Sequence, residues 1–112
     1  MGDYTKLIVS CQVAVDKEEL QNQVTILGLY SSGAHSQEML ESISKSHSKY
    51  RKKENMWDLV LVGQTKYGIG QREFLEWLEP YVVQGSGPSD IFAFQLPEHR
   101  DSPTTWQKVD KE

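Results

Sequence analysis

MWDLVLVGQTKYGIGQREFLEWL, residues Met56–Leu78, passes from an apolar run through a glycine-rich turn into a helical pattern, and the fold follows from how that passage is read. Met56–Gly63 is nearly continuous in apolar character, the pattern of a central strand buried on both faces. Beyond the turn, Phe74, Leu75, Leu78, Tyr81 and Val82 recur at helical spacing, with Glu73, Glu76 and Glu79 opposite and Trp77 at the border. Pro80 lacks a backbone donor, so this helix kinks or ends there.

Towards the N-terminus, Met39, Leu40, Ile43, His47 and Tyr50 fall within about a third of a helical wheel, which predicts a helix from near Ser36. Ser36 is its cap, Glu38 lies in the first turn, and Lys49 to Lys53 crowd the last turn, where cations suit the helix dipole. VTILGLY (Val24–Tyr30) reads as a strand. In KLIVSCQVAV, Leu7, Val9, Cys11, Val13 and Val15 alternate with Ser10, Gln12 and Ala14, the pattern of a half-buried strand. The polar stretch Asp16–Gln23 between these two strands reads as a long hairpin connection or a single helical turn, and the hairpin is the expectation. Towards the C-terminus, QGSGPSD is a loop, IFAFQL a strand and SPTTWQKV a short edge strand.

The predicted order is ββαβαβ, an α+β or small α/β fold with two helices on a mixed sheet of four to five strands. Its N-terminal hairpin would sit at a sheet edge, followed by a parallel βαβαβ unit over residues 24–96 with right-handed crossovers. One domain is expected over residues 1–112, ordered from about 4 to 109 with flexible ends. Ligands of parallel sheets bind outside the carboxyl ends of the strands, which directs attention to Tyr30–Ser36, Gly63–Gln71 and Pro97–Asp101.

The turn at Gly63–Gln71 is not a P-loop, because it ends in Gly70-Gln71-Arg72 rather than Gly-Lys-Ser/Thr. A dinucleotide fingerprint is also excluded, since Glu73 stands where GxGxxG requires its third glycine. Two readings of the glycines remain: they supply positive φ for the turn, or their amides meet an anion beside Lys66 or Arg72. WDLVLVGQTKYGIGQREFLEWL resembles the strand, flavin-binding loop and following helix of flavodoxin-like proteins. That resemblance implies Tyr67 stacked on an isoalloxazine ring and LYSSGAHS as a phosphate-binding loop. It covers residues 24–83, and only Glu54, Asn55 and Met56 separate Lys53 from Trp57 where the family carries a further strand. The resemblance therefore marks a site location and not a family.

A hydrophobic content of 38% with 25% charge and three tryptophans describes a globular domain, and no apolar run approaches the ~20 residues of a membrane span. The N-terminal MGDYTKLIVS has no signal-peptide pattern, and Lys6 stands where myristoylation requires Ser or Thr, so a cytoplasmic location is expected. Cys11 is the only cysteine, which excludes an internal disulfide, and its position between Val9 and Val13 reads as core. Net charge is −4, which argues against a dedicated nucleic-acid binder. One basic patch runs counter to it: Lys45, Lys49, Arg51, Lys52 and Lys53 hold five of the twelve basic residues. His35, His47 and His99 have no metal-ligand spacing, so no metal site is expected. PEHRD reads as a surface turn, GxSxG is absent near Ser31, Ser32 and Ser36, and no catalytic residue is assigned.

The expectation is a non-enzymatic cytosolic binding protein without a cofactor, acting through a protein partner or a homodimer, with Trp77 and Trp106 as interface anchors. Its acidity suits a basic partner, as for an inhibitor or immunity-type protein. The alternative is a small-ligand protein or enzyme holding a flavin- or nucleotide-like ligand through Ser31, Ser32, His35, Thr65, Lys66, Tyr67 and Arg100.

Overall fold

The computed structural model describes residues 4–29, 48–97 and 102–108. The coarse class is as expected, a mixed α+β fold with two helices and one sheet among the described residues, but the topology differs. The order is β1 (Tyr4–Val13), α1 (Lys17–Leu27), β2 (Lys49–Arg51), β3 (Met56–Lys66), α2 (Gln71–Leu78), β4 (Val82–Gly85), β5 (Ile91–Pro97) and β6 (Thr104–Gln107). Strands line up as β2-β3-β1-β5-β6, with β4 also on β1, and every pairing is antiparallel.

The parallel βαβαβ unit is therefore corrected, and so is the edge position of the first strand. β1 lies at the centre, and β3 and β5 run in one direction on either side of it. In the same way β2 runs parallel to β1 with β3 between them. These are split β-α-β connections, in which a helix joins two strands separated by a third.

The correction begins at Asp16–Gln23, which is helical rather than a hairpin connection, as is most of VTILGLY. Asp16 caps α1 by accepting from the amides of Glu18 and Glu19 at 3.2 and 3.4 Å, and Gly28 ends it at φ 67. Leu20, Val24 and Leu27 form the buried stripe at i, i+4, i+7. Val-Thr-Ile carries β-branched residues that look like strand, but the stripe and both caps override that weak propensity.

β3 is buried on one face only. Trp57, Leu59, Leu61, Gly63 and Thr65 are buried, whereas the intervening residues are half-buried or exposed. The apparent apolar continuity came from Val60 and Val62, which lie on the opposite face, where Val62 is 42% exposed beside Ile8, itself beside Phe94. The helices cover the face of Leu7, Val9, Leu59 and Leu61, with Phe74, Leu75 and Leu78 of α2 in the same core.

The expected helix over 36–53 falls largely on residues outside the described ones, but its end is corrected. Lys49–Arg51 is strand, paired with Met56–Asp58. Arg51 fixes this hairpin, donating to both Asp58 carboxylate oxygens at 2.8 Å and to Glu54 at 2.9 Å.

α2 ends before Pro80 and passes into a single 3-10 turn, Glu79–Tyr81, so Tyr81 lies outside α2 and Val82 begins β4. Part of the expected QGSGPSD loop is strand: β4 pairs with Cys11–Val13, and β5 takes over along β1 from Val9 to Thr5. Between them the chain makes an excursion, closed by Gly87 donating to Ile91 at 3.0 Å, with Ser89 and Asp90 both at positive φ. Gly85 is required here, because a Cβ would meet the Asp90 carbonyl oxygen at 2.5 Å. The edge strand in SPTTWQKV is present as β6.

Candidate functional site

The turn that joins β3 to α2 is built by its own backbone. Tyr67, Gly68 and Gly70 take φ of 57, 71 and 83. The amides of Gly68, Ile69 and Gln71 donate to Thr65, Lys66 and Gly68 at 3.2, 3.1 and 3.1 Å, and Phe74 donates to Gly70 at 3.1 Å. These amides are committed within the turn, in keeping with glycines that supply its positive φ. Gly68 also allows a close approach to β1, since a Cβ there would lie 3.3 Å from the Thr5 hydroxyl.

Beneath the turn runs a polar chain. Gln71 is fully buried, and its Nε2 donates to the Thr5 carbonyl at 2.8 Å and to Thr65 Oγ1 at 3.0 Å. Its Oε1 accepts from Gln95 Nε2 at 3.0 Å, and Gln95 Oε1 accepts from Trp106 Nε1 at 2.7 Å. The Gln71 side chain thereby joins β1, β3 and β5 to the first residue of α2, Gln95 extends the chain to β6, and the Gln71 amide is satisfied on both sides.

Above the turn the surface is apolar. Ile26 is 75% exposed, Ile69 68% and Tyr67 63%, and the ammonium of Lys66 stands 5.5 Å from the centre of the Tyr67 ring. An open cleft of about 210 Å³ runs between the end of α1 and the start of α2, lined by Gln23, Ile26, Leu27, Gly70, Glu73 and Phe74. Gly70 faces Leu27 there, and a Cβ would stand at an ordinary contact distance of 3.5 Å from Leu27 Cδ1, so it is the φ of 83 that favours glycine.

The expected ligand residues divide. Ser31, Ser32, His35 and Arg100 lie outside the described residues. Thr65 is buried under the turn and accepts from Gln71, whereas Lys66 and Tyr67 are exposed on it. Pro97 lies at the same sheet end as Lys66, because Thr5 pairs with both Pro97 and Thr65. The expected partner anchors are half-buried: Trp77 packs on Phe74 and Tyr81 at centroid distances of 6.0 and 5.3 Å, and Trp106 lies against the core with its N–H engaged. In the basic patch Lys49, Lys52 and Lys53 are exposed, Arg51 is held by its two carboxylates, and Lys45 lies outside the described residues. Hydrogen bonds from Arg51 to Asp58 and then to Glu54 raise its pKa above the ordinary arginine value. Burial pushes the Cys11 thiol up to about 12.

Ile26, Leu27 and Ile69 were not singled out from the sequence. The available signal was that Ile26 falls off the Leu20-Val24-Leu27 stripe once that segment is read as helix.

The fold defines a class: an α+β layer pair with split β-α-β connections and an apolar cleft between its helices. Comparison with protein-family models finds no match, and comparisons with curated proteins and with solved structures find none either. Among the described residues, no helix is long and apolar enough to cross a membrane, and no group of three or more His, Cys, Asp or Glu could hold a metal.

Proposed function

We propose that this chain is a non-enzymatic cytosolic binding protein that docks a protein partner over the α1–α2 cleft. One observation carries the reading: Ile26, 75% exposed, lines an apolar cleft that Gly70 also lines, and Tyr67 and Ile69, 63 and 68% exposed, precede Gly70 in the same turn. Exposed apolar groups that contribute nothing to the core are typical of interaction sites where they border an apolar cleft. Tyr67 adds weight because a bulky residue at φ 57 is strained, and such strain tends to be kept where it serves a purpose.

Peptides selected from a random display library against the wild-type chain should lose binding to an Ile26→Asp, Ile69→Asp variant. Both positions are exposed, so the variant should unfold at the same temperature as wild type. A library that yields no binders, or binders indifferent to the variant, would overturn the reading. Sedimentation of the two proteins separates a foreign partner from a homodimer, since self-association lost with the variant identifies a second copy.

A ligand-binding reading draws on the exposed Lys66–Tyr67 pair at 5.5 Å. Flavin, nucleotide or phosphate at about 100 times its dissociation constant would then stabilise the fold by ~2.7 kcal/mol. A flat thermal-shift screen removes that reading.

A further inference from the structure

The cleft between α1 and α2 has a charge pattern that its apolar walls do not explain. Glu73 lines it, and among the described residues Glu73 has no ion-pair partner, whereas Glu76 on the next turn is held by Arg72 at 2.8 Å. On α1, Glu19, Gln23 and Ile26 stand at i, i+4 and i+7, so they share one face. Glu19 and Ile26 are exposed, and Gln23 is half-buried. An entering segment therefore meets Ile26, Leu27 and Phe74 as walls and Glu73 as a negative rim, with Glu19 one turn beyond Gln23 on the same face of α1.

Two occupants fit this pattern poorly. A second copy apposing the same face would set Glu73 and Glu19 against like carboxylates, a repulsion that disfavours self-association there. An extended strand gains its affinity from main-chain hydrogen bonds to a sheet edge, and the cleft is walled by helices rather than by strands. A groove between two helices that offers side chains alone matches the mode in which an amphipathic helix lays its apolar face down.

Resting on the docking reading above, we propose that the occupant is an amphipathic helix of a partner protein, apolar on the buried side and flanked by Lys or Arg that meet Glu73 and Glu19. The apolar face supplies affinity, and the flanking cations select the partner and speed its association.

A synthetic helical peptide with leucines at i, i+3 and i+7 and lysines on both flanks tests this, with a control in which glutamates replace the lysines. The lysine peptide should bind the wild-type chain in fluorescence anisotropy, more weakly as salt rises, and the glutamate peptide should not. Glu19→Gln with Glu73→Gln should weaken the lysine peptide roughly two- to fivefold per charge and flatten the salt dependence. Ile26→Asp should weaken it roughly thirtyfold, the scale of a lost anchor. Circular dichroism checks that each variant folds.

No binding of the lysine peptide, equal binding of the glutamate peptide, or a glutamine variant that behaves as wild type would overturn the inference. The two readings fail separately. Display-selected binders that need Ile26 but carry no basic residues leave the docking reading standing and remove this one. Lysine-peptide binding that ignores Ile26→Asp removes both.

Discussion

Tyr67 holds its ring 63% exposed at φ 57, and a side chain in the left-handed region costs about 1–2 kcal/mol relative to the ordinary conformations. Tyr67→Gly should therefore raise the unfolding free energy by about 0.5–1 kcal/mol in urea, once the extra freedom of the unfolded glycine is subtracted. The same variant should bind selected peptides more weakly. A variant that is both less stable and an equally good binder would show the tyrosine to be a structural residue. Gln71 presents the opposite case. Its leucine replacement is close in size but leaves Gln95 Nε2, the Thr5 carbonyl and the Thr65 hydroxyl without their partner. Each buried unmet group costs about 1–3 kcal/mol, so Gln71→Leu should lower stability by about 2 kcal/mol or more in a urea titration. A loss near zero would mean that water replaces the amide.

At the scale of elements, α1 depends on its first turn. Asp16 is its only side-chain cap, and no basic residue follows in the last turn, so Asp16→Ala should cost about 1 kcal/mol of unfolding free energy. Asp16→Asn, which keeps an acceptor oxygen, should recover most of it. This helix is also where reading the sequence and finding the fold diverge. β1, β5, β6 and most of α2 were legible, because alternation and the Phe74-Leu75-Leu78 spacing each fit one period. Val24–Leu29 fits two periods over so few residues, and the decision rests on Asp16 and Gly28, which lie on either side of it. Taking it for a strand supplied the first member of a parallel unit and carried the topology with it. The glycine turn was placed correctly as a strand-to-helix connection. Its apolar rim was hidden, because the exposure of Ile26 depends on α1 existing and that of Ile69 on which way the turn faces.

For the whole molecule, the pH limit on the alkaline side is set partly from within the central strand. Burial raises the Cys11 thiol from 9.0 to about 12. Below 9.0 both folded and unfolded chains hold the proton, and the full stability is present. Between 9.0 and about 12 the unfolded chain releases the proton while the folded chain keeps it, so stability should fall with rising pH, by up to about 1.4 kcal/mol per pH unit. Cys11→Ala should flatten the urea midpoint over that interval at the cost of a small cavity, and a thiol reagent at neutral pH should leave the folded wild type unmodified. The central place of β1 has a further consequence for the route by which the chain acquires its shape. Tyr4 pairs with Lys66 and Thr5 with Pro97, so the middle of the sheet closes only when distant segments have met. Such closures carry an entropic barrier that helices and hairpins avoid, which places this chain among slower-folding small domains. During synthesis, β1 must wait, unpaired and apolar on one face, until β3 has emerged, and its second edge stays open until the strand ending at Pro97 follows. Its exposure to premature pairing with other chains lasts as long as that wait.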